Sequence, residues 1–333
     1  MKLRSELLVA IKGILLVGGR GTRLLPLTEK TPKPMLKVAG VPFTQHQLAK
    51  AKSAGINEIA LATSFMAEVF EPHFGDGATM GMKIHYAVEK EALGTGGAIK
   101  NASKVLDLHP GDSVVIFNGD VLSGHDLSGQ ISYHQAEQAA VTLYLTEVPD
   151  ARAFGCVPID ENGNVKAFLE KMENPITNLV NAGCYIFDHS VFQHIPTESV
   201  VSVERETFPE ILKQGLVVKG FVDRSYWLDI GTPAALIKAS RDLLTHEFTS
   251  PATPSHSVGS LIEPGATIAP GAHINEGSFI GRGARIESGC TISGSIIESG
   301  AIIGANSTLV NSFVRENAVI GENSQENSAI LGF

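Results

Sequence analysis

The feature that most restricts the fold is a repeat near the C-terminus. Ile262, Ile268, Ile274, Ile280, Ile286 and Ile292 recur every six residues. After one five-residue step the series resumes at Ile297, Ile303 and Leu309, and after another at Val314 and Ile320. A small side chain stands four residues after most of these positions (Ala266, Ala272, Ser278, Ala284, Cys290), and Gly, Asn or Ser commonly stands just before it. A six-residue period fits neither the helical nor the pleated repeat. It fits a chain that turns a corner every six residues and stacks each turn on the last. The segment 261–333 is therefore expected to form a parallel β-helix, with the aliphatic series lining its axis and Gly or Asn at corners that need positive φ.

The preceding segment follows different periods. Short β-branched runs at 14–17, 58–63, 83–88, 113–118 and 140–148 alternate with helical spacing at 42–54, 66–73, 96–106 and 127–139. Alternation of this kind predicts an α/β domain with a mostly parallel sheet, whose ligands bind at the strand C-terminal ends. Further on, 165–169, 183–187 and 217–222 read as strands, and 206–214 and 233–246 as helices. The stretch from Thr249, rich in Pro and Ser, reads as a linker. The expected organisation is an α/β domain over 1–248, a linker over 249–260 and the β-helix over 261–333. A chain of 333 residues exceeds what one core usually organises, which agrees with two domains.

With 43% apolar and 18% charged residues the chain reads as globular, and no apolar run is long enough to span a bilayer. The apolar run 7–11 superficially suggests a secretion signal, but it is short, Lys12 interrupts it and no small-residue cleavage site follows. A cytoplasmic protein with a short N-terminal extension is expected. Cys156, Cys184 and Cys290 are widely spaced and odd in number, so neither a disulfide framework nor a zinc site is supported; small buried hydrophobes are the simpler reading. A formal charge of -9 argues against a nucleic-acid partner and leaves small anionic substrates open, since these need only a local positive cluster.

That cluster begins directly after the first strand. Gly18-Gly19-Arg20-Gly21-Thr22-Arg23 is followed by Thr31-Pro32-Lys33-Pro34. The spacing matches neither the Rossmann fingerprint nor the P-loop. Bare backbone amides combined with the cations Arg23 and Lys33 suit a triphosphate. The loop resembles the signature of the sugar-1-phosphate nucleotidyltransferases, most closely that of the GDP-mannose pyrophosphorylases. Further motifs follow in the family's order: Glu91-Ala-Leu-Gly94-Thr95, Phe117-Asn-Gly-Asp120, Phe168-Leu-Glu170-Lys171, Asn181-Ala-Gly183 and Trp227-Leu-Asp229-Ile-Gly231. Together they span nearly all of the first domain. The resemblance also implies that the β-helix is left-handed.

The resemblance implies a role for each matching residue. Gly18, Gly19, Gly21, Thr22, Arg23 and Lys33 would hold the nucleotide phosphates, with Glu91, Gly94, Thr95, Asn118 and Gly119 completing its site. Gly155, Glu170, Lys171, Asn181 and Gly183 would hold the sugar phosphate. Asp120 and Asp229 would bind Mg²⁺, and Arg23, Lys33, Asp120, Lys171 and Asp229 would carry catalysis. The implied reaction joins a nucleoside triphosphate to a sugar 1-phosphate, with GTP and mannose 1-phosphate as the leading pair and glucose 1-phosphate with dTTP, UTP or ATP as the alternative. A non-catalytic subunit that binds nucleotide-sugar is the alternative of another class. The flat sides of a β-helix imply a homo-oligomer. Met172 departs from the family's usual proline after Lys171, which leaves that loop less rigid. His256 and His273 raise an acyltransferase reading, against which stands the ordinary role of isolated histidines.

Overall fold

The computed structural model describes residues 10–169, 171–255 and 259–333. The N-terminal extension, Glu170 and His256 lie outside the described residues. The contacts gather the chain into two compact units, one reaching to Gly19 and continuing over Ala51–Trp227, the other made of Arg20–Lys50 and Leu228–Phe333.

The first unit is built on one seven-stranded sheet. Its strands are β1 (Ile11–Leu16), β2 (Glu58–Thr63), β3 (Lys83–Val88), β4 (Ser113–Asn118), β5 (Val141–Glu147), β6 (Leu179–Asp188) and β7 (Val218–Val222), in the order β7-β5-β6-β4-β1-β2-β3. The pairs β4-β1, β1-β2, β2-β3 and β7-β5 are parallel, and β6 runs antiparallel to both β4 and β5. The expected mostly parallel sheet is therefore present. Its central strands are buried and read as continuous apolar runs, as in Val114-Val115-Ile116 of β4, because both faces are covered.

The helices are α1 (Phe43–Ser53), α2 (Phe70–Phe74), α3 (Gly94–Ser103), α4 (Leu127–Ala136), α5 (Phe208–Lys213) and α6 (Pro233–Leu244). Two expected elements are shorter or irregular. The helix expected at 66–73 is a 3₁₀ turn followed by the five-residue α2, in which Pro72 withholds a backbone donor. The strand expected at 165–169 makes only single bridges, Ile159 with Val165 and Cys156 with Leu169.

In the second unit the hexad repeat forms three stacked parallel sheets of five, four and four short strands. Three six-residue sides complete one coil, so Ile262 pairs with Ile280, Ile268 with Ile286 and Ile274 with Ile292. Each five-residue step shortens one coil without breaking register, as in Ile280 with Ile297. The inward series from Ile280 to Val314 is fully buried, together with Ala284, Cys290 and Ala301. Corners have positive φ and carry Gly in the early coils (Gly265 85°, Gly271 80°) and Asn in the later ones (Asn306 59°, Asn317 58°).

The segment 20–50 belongs to this unit for a steric reason. Its hairpin, Lys37–Val38 with Val41–Pro42, turns at Gly40, where a Cβ would lie 2.7 Å from Leu261 at the start of the β-helix. Ala39 N donates to Ser240 Oγ of α6 at 3.1 Å. Thr232 caps α6, ahead of Pro233 in its first turn. Cys156, Cys184 and Cys290 are free, buried thiols, and His273 is exposed on the first coil.

Candidate active site

Strands β1 and β4 are parallel neighbours, and Leu16 stands in register with Asn118. Their C-terminal ends therefore deliver Gly18-Gly19 and Asn118-Gly119-Asp120 to one edge of the sheet, the edge at which open α/β sheets bind ligands. The glycines differ in what they permit. A Cβ at Gly119 would lie 1.9 Å from the Leu16 carbonyl oxygen, so no other residue fits there. A Cβ at Gly18 would meet Ser64 Oγ at 2.6 Å, and that hydroxyl donates to the Gly18 carbonyl at 2.7 Å. Gly19 has open space around it. Asp120 is half-buried at the end of this run.

Beside this edge the first unit holds a cavity of about 900 Å³. Six of the expected residues line it: Gly94, Thr95, Asn118, Gly155, Lys171 and Asn181. Gly94 opens α3 with φ 71°. Gly155 is held where Cys156 and Leu169 exchange backbone hydrogen bonds, and a Cβ on it would lie 3.1 Å from the Leu169 carbonyl. Aromatic walls come from Phe154, edge-on to Trp227, and Phe168, stacked on Phe208 at 4.6 Å. Gly183 lies behind the lining with a φ of 78°, and a Cβ on it would lie 3.1 Å from the Asn118 side chain. Glu91 is exposed on the turn before α3 and does not line the cavity; the neighbouring Glu89 accepts from Leu93 N at 3.2 Å, and burial raises the pKa of its carboxyl.

The remaining expected residues lie in the second unit. Gly21, φ 62°, closes against Lys33 and Thr28; a Cβ there would lie 2.9 Å from Lys33 Cβ, and Thr28 Oγ1 donates to the Gly21 carbonyl at 3.0 Å. Lys33 is 9% exposed. Thr22 and Arg23 form an exposed 3₁₀ turn. The Arg23 guanidinium stands 4.0 Å from Asp229 Oδ2, and Gly231 makes room for it, since a Cβ there would sit 2.9 Å from both terminal nitrogens. Asp120 and Asp229 each offer carboxylate oxygens, hard donors that suit a hard divalent cation. Among the described residues no group of three or more His, Cys, Asp or Glu is arranged to hold a metal unaided.

Residues outside the sequence expectation also line the cavity, among them Phe154, Glu204 and Arg205. Tyr185, fully buried beneath them, accepts from Asn181 Nδ2 at 3.1 Å. Tyr185 could have been found from strand alternation, because it continues the face of Asn181 and Gly183. Glu204 gives no local signal: it sits in a π-helical turn, Val203–Thr207, that reads as the start of an ordinary helix.

The chain belongs to the nucleotidyl transferase family, whose model matches residues 12–246, and residues 258–333 match the GMPPB C-terminal domain. It is 48% identical over 257 residues to a mannose-1-phosphate guanylyltransferase of Mycobacterium tuberculosis, covering 77% of this chain and 71% of that protein. Among solved structures it is similar to a putative glucose-1-phosphate thymidylyltransferase from Bacillus anthracis in complex with a sucrose, with TM-score 0.62, 26% identity and coverage of 72% of this chain and 97% of that one. It is also similar to HddC from Yersinia pseudotuberculosis complexed with GMP-PN, with TM-score 0.58, 29% identity and coverage of 70% and 99%. Enzymes of this family act on a nucleoside triphosphate and a sugar phosphate and use a divalent metal.

Proposed function

We propose that the chain transfers the guanylyl group of GTP to mannose 1-phosphate, yielding GDP-mannose and pyrophosphate. The 48% identity to a mannose-1-phosphate guanylyltransferase over most of the chain carries the choice of substrates. The convergence of Thr95, Asn118, Lys171 and Asn181 on one cavity supports the placement of the sugar phosphate and the nucleoside in the first unit.

No side-chain nucleophile is needed. A phosphate oxygen of mannose 1-phosphate attacks the α-phosphorus of GTP in line, the new P–O bond forms as the bond to the bridging α,β-oxygen breaks, and pyrophosphate leaves with that electron pair. Two anions must meet, so positioning and charge neutralisation supply the rate enhancement. Lys171 neutralises the sugar phosphate. Arg23 and Lys33 draw charge from the departing pyrophosphate, and the amides of Gly18, Gly19 and Gly21 hold the chain of phosphates. Mg²⁺ held by Asp120 and Asp229 would supply Lewis-acid neutralisation at the phosphate oxygens. Catalysis is assigned to 1–248, with 249–260 as linker and the β-helix 261–333 as the assembly element of a homo-oligomer working in the cytoplasm.

Lys171→Ala is expected to raise KM for mannose 1-phosphate by about tenfold or more, the effect of removing a charge-assisted contact. Asp120→Asn is expected to abolish pyrophosphate release. Activity of Asp120→Asn at saturating Mg²⁺ equal to wild type would reject the metal role.

A further inference from the structure

A strap of chain after β6 connects the two halves of the cavity. Val201 exchanges backbone hydrogen bonds with the start of α3: its N–H donates to Leu93 O at 2.9 Å, and its carbonyl accepts from Gly96 N at 2.8 Å. The fit is tight, since a Cβ on Gly94 would lie 2.6 Å from the Val201 carbonyl and one on Gly97 2.5 Å from that of Ser199. Three residues further along the strap stands Glu204, and its two oxygens face opposite ways. Oε1 accepts from the Tyr185 hydroxyl at 3.1 Å. Oε2 accepts from Thr95 Oγ1 at 3.1 Å and from Ser202 Oγ at 3.2 Å. Thr95 Oγ1 in turn accepts from Val203 N at 2.9 Å, so its hydroxyl is fixed in both roles.

On the other side, Tyr185 links Glu204 to the sugar-side amide of Asn181. Its oxygen accepts from Asn181 Nδ2 and lies 3.3 Å from Asn118 Oδ1, and Asn181 Oδ1 accepts from Gly183 N at 3.2 Å. Partly buried charge-assisted bonds of this kind are directional, and a network of them orients its members together. One carboxylate thus holds Thr95, at the N-terminal turn of α3, and the tyrosine that accepts from Asn181.

We propose that Glu204 is a positioning residue that couples the nucleotide-side and sugar-side halves of the cavity, so that ordering one half by its ligand orders the other. This rests on the proposed function, which assigns Thr95 to the nucleotide and Asn181 to the sugar. A residue in this role affects both ligands, and its effect overlaps with that of Tyr185, because the two act through one connected set of bonds.

The test is a double-mutant cycle read by calorimetric titration of GDP-mannose into the full chain, as wild type, Glu204→Ala, Tyr185→Phe and the pair. Glu204→Ala is expected to weaken GDP-mannose by about tenfold and to weaken GDP and mannose 1-phosphate each when titrated alone. Tyr185→Phe is expected to weaken mannose 1-phosphate and leave GDP unchanged. In the pair, the second substitution costs severalfold less than it does in wild type. Additive losses, or a Glu204→Ala effect confined to one ligand, overturn the proposal. Should Glu204→Ala unfold, the cycle is run with Glu204→Gln, which keeps the volume and one acceptor; non-additivity supports the coupling and additivity overturns it. A wild-type chain that binds neither GDP-mannose nor its parts removes the proposed function itself, a result distinct from additivity.

Discussion

At the scale of single residues, the glycines and the histidines make the sharpest predictions. Gly119→Ala places a Cβ 1.9 Å from the Leu16 carbonyl, an overlap that backbone movement must relieve, whereas Gly19→Ala adds a methyl to open space. Gly119→Ala is expected to lower the free energy of unfolding by roughly 3 kcal/mol and Gly19→Ala by less than about 1 kcal/mol, read by urea denaturation. His46 makes a pH prediction. Its Nε2 donates to the Val38 carbonyl at 3.0 Å, Nδ1 faces Ser250 Oγ at 2.7 Å, and burial pulls its pKa down to about 4 from 6.5. The folded chain holds this ring neutral while the unfolded chain takes up a proton below pH 6.5. Its contribution is therefore complete above that pH and is lost as pH falls toward about 4, in total on the order of 3 kcal/mol. Burial shifts His134 the same way, so His46→Gln is expected to flatten the decline in stability over this window by about half, measured by urea unfolding at pH 4.5–7.5 (about that range). A decline as steep as wild type would contradict the assignment. Six of the candidate residues that line one cavity were singled out at this scale, because glycine, lysine and asparagine carry their chemistry in their identity. Tyr185 was readable only through strand alternation with Asn181 and Gly183, and Glu204 was not readable, because its bonds join distant segments, such as Thr95 with Glu204, 109 positions apart.

At the scale of elements, the hexad repeat was the most legible feature. Each aliphatic position is repeated by the one stacked on it, so local pattern and tertiary contact coincide. Ile292 is fully buried between Ile274 and Leu309 in adjacent coils. Ile292→Ala is expected to cost ~2–5 kcal/mol, seen as a lower unfolding midpoint; a cost below about 1 kcal/mol would mean that the axis is not packed. The strands of the α/β sheet were legible where both faces are buried and the apolar run is unbroken. β6 is longer than its apolar run because Asn181 and Gly183 interrupt the pattern while the backbone continues its pairing with β5. The hairpin at 37–42 was unreadable in advance, since what fixes it is the approach of Gly40 to Leu261, a contact between segments far apart in the sequence.

At the scale of the whole molecule, the chain passes between its two compact units at Gly19, Lys50 and Trp227. The first unit brings Asp120 to a sheet edge and places Lys171 on the cavity, and the second holds Arg23, Lys33 and Asp229. Family membership and the reaction class were legible because the motifs occur in order along the chain. The resemblance also gave GTP and mannose 1-phosphate as the leading pair, which the 48% identity to a mannose-1-phosphate guanylyltransferase supports, whereas the phosphate- and metal-facing residues alone do not separate the pairs, since phosphates and metal are common to all. The most direct measurement is pyrophosphate release by the full chain with Mg²⁺ across GTP, dTTP, UTP and ATP, each with mannose 1-phosphate and glucose 1-phosphate. GTP with mannose 1-phosphate is predicted to give the highest kcat/KM, by about tenfold or more over every other pair. Release with no pair, or faster release with a glucose 1-phosphate pair, would contradict it.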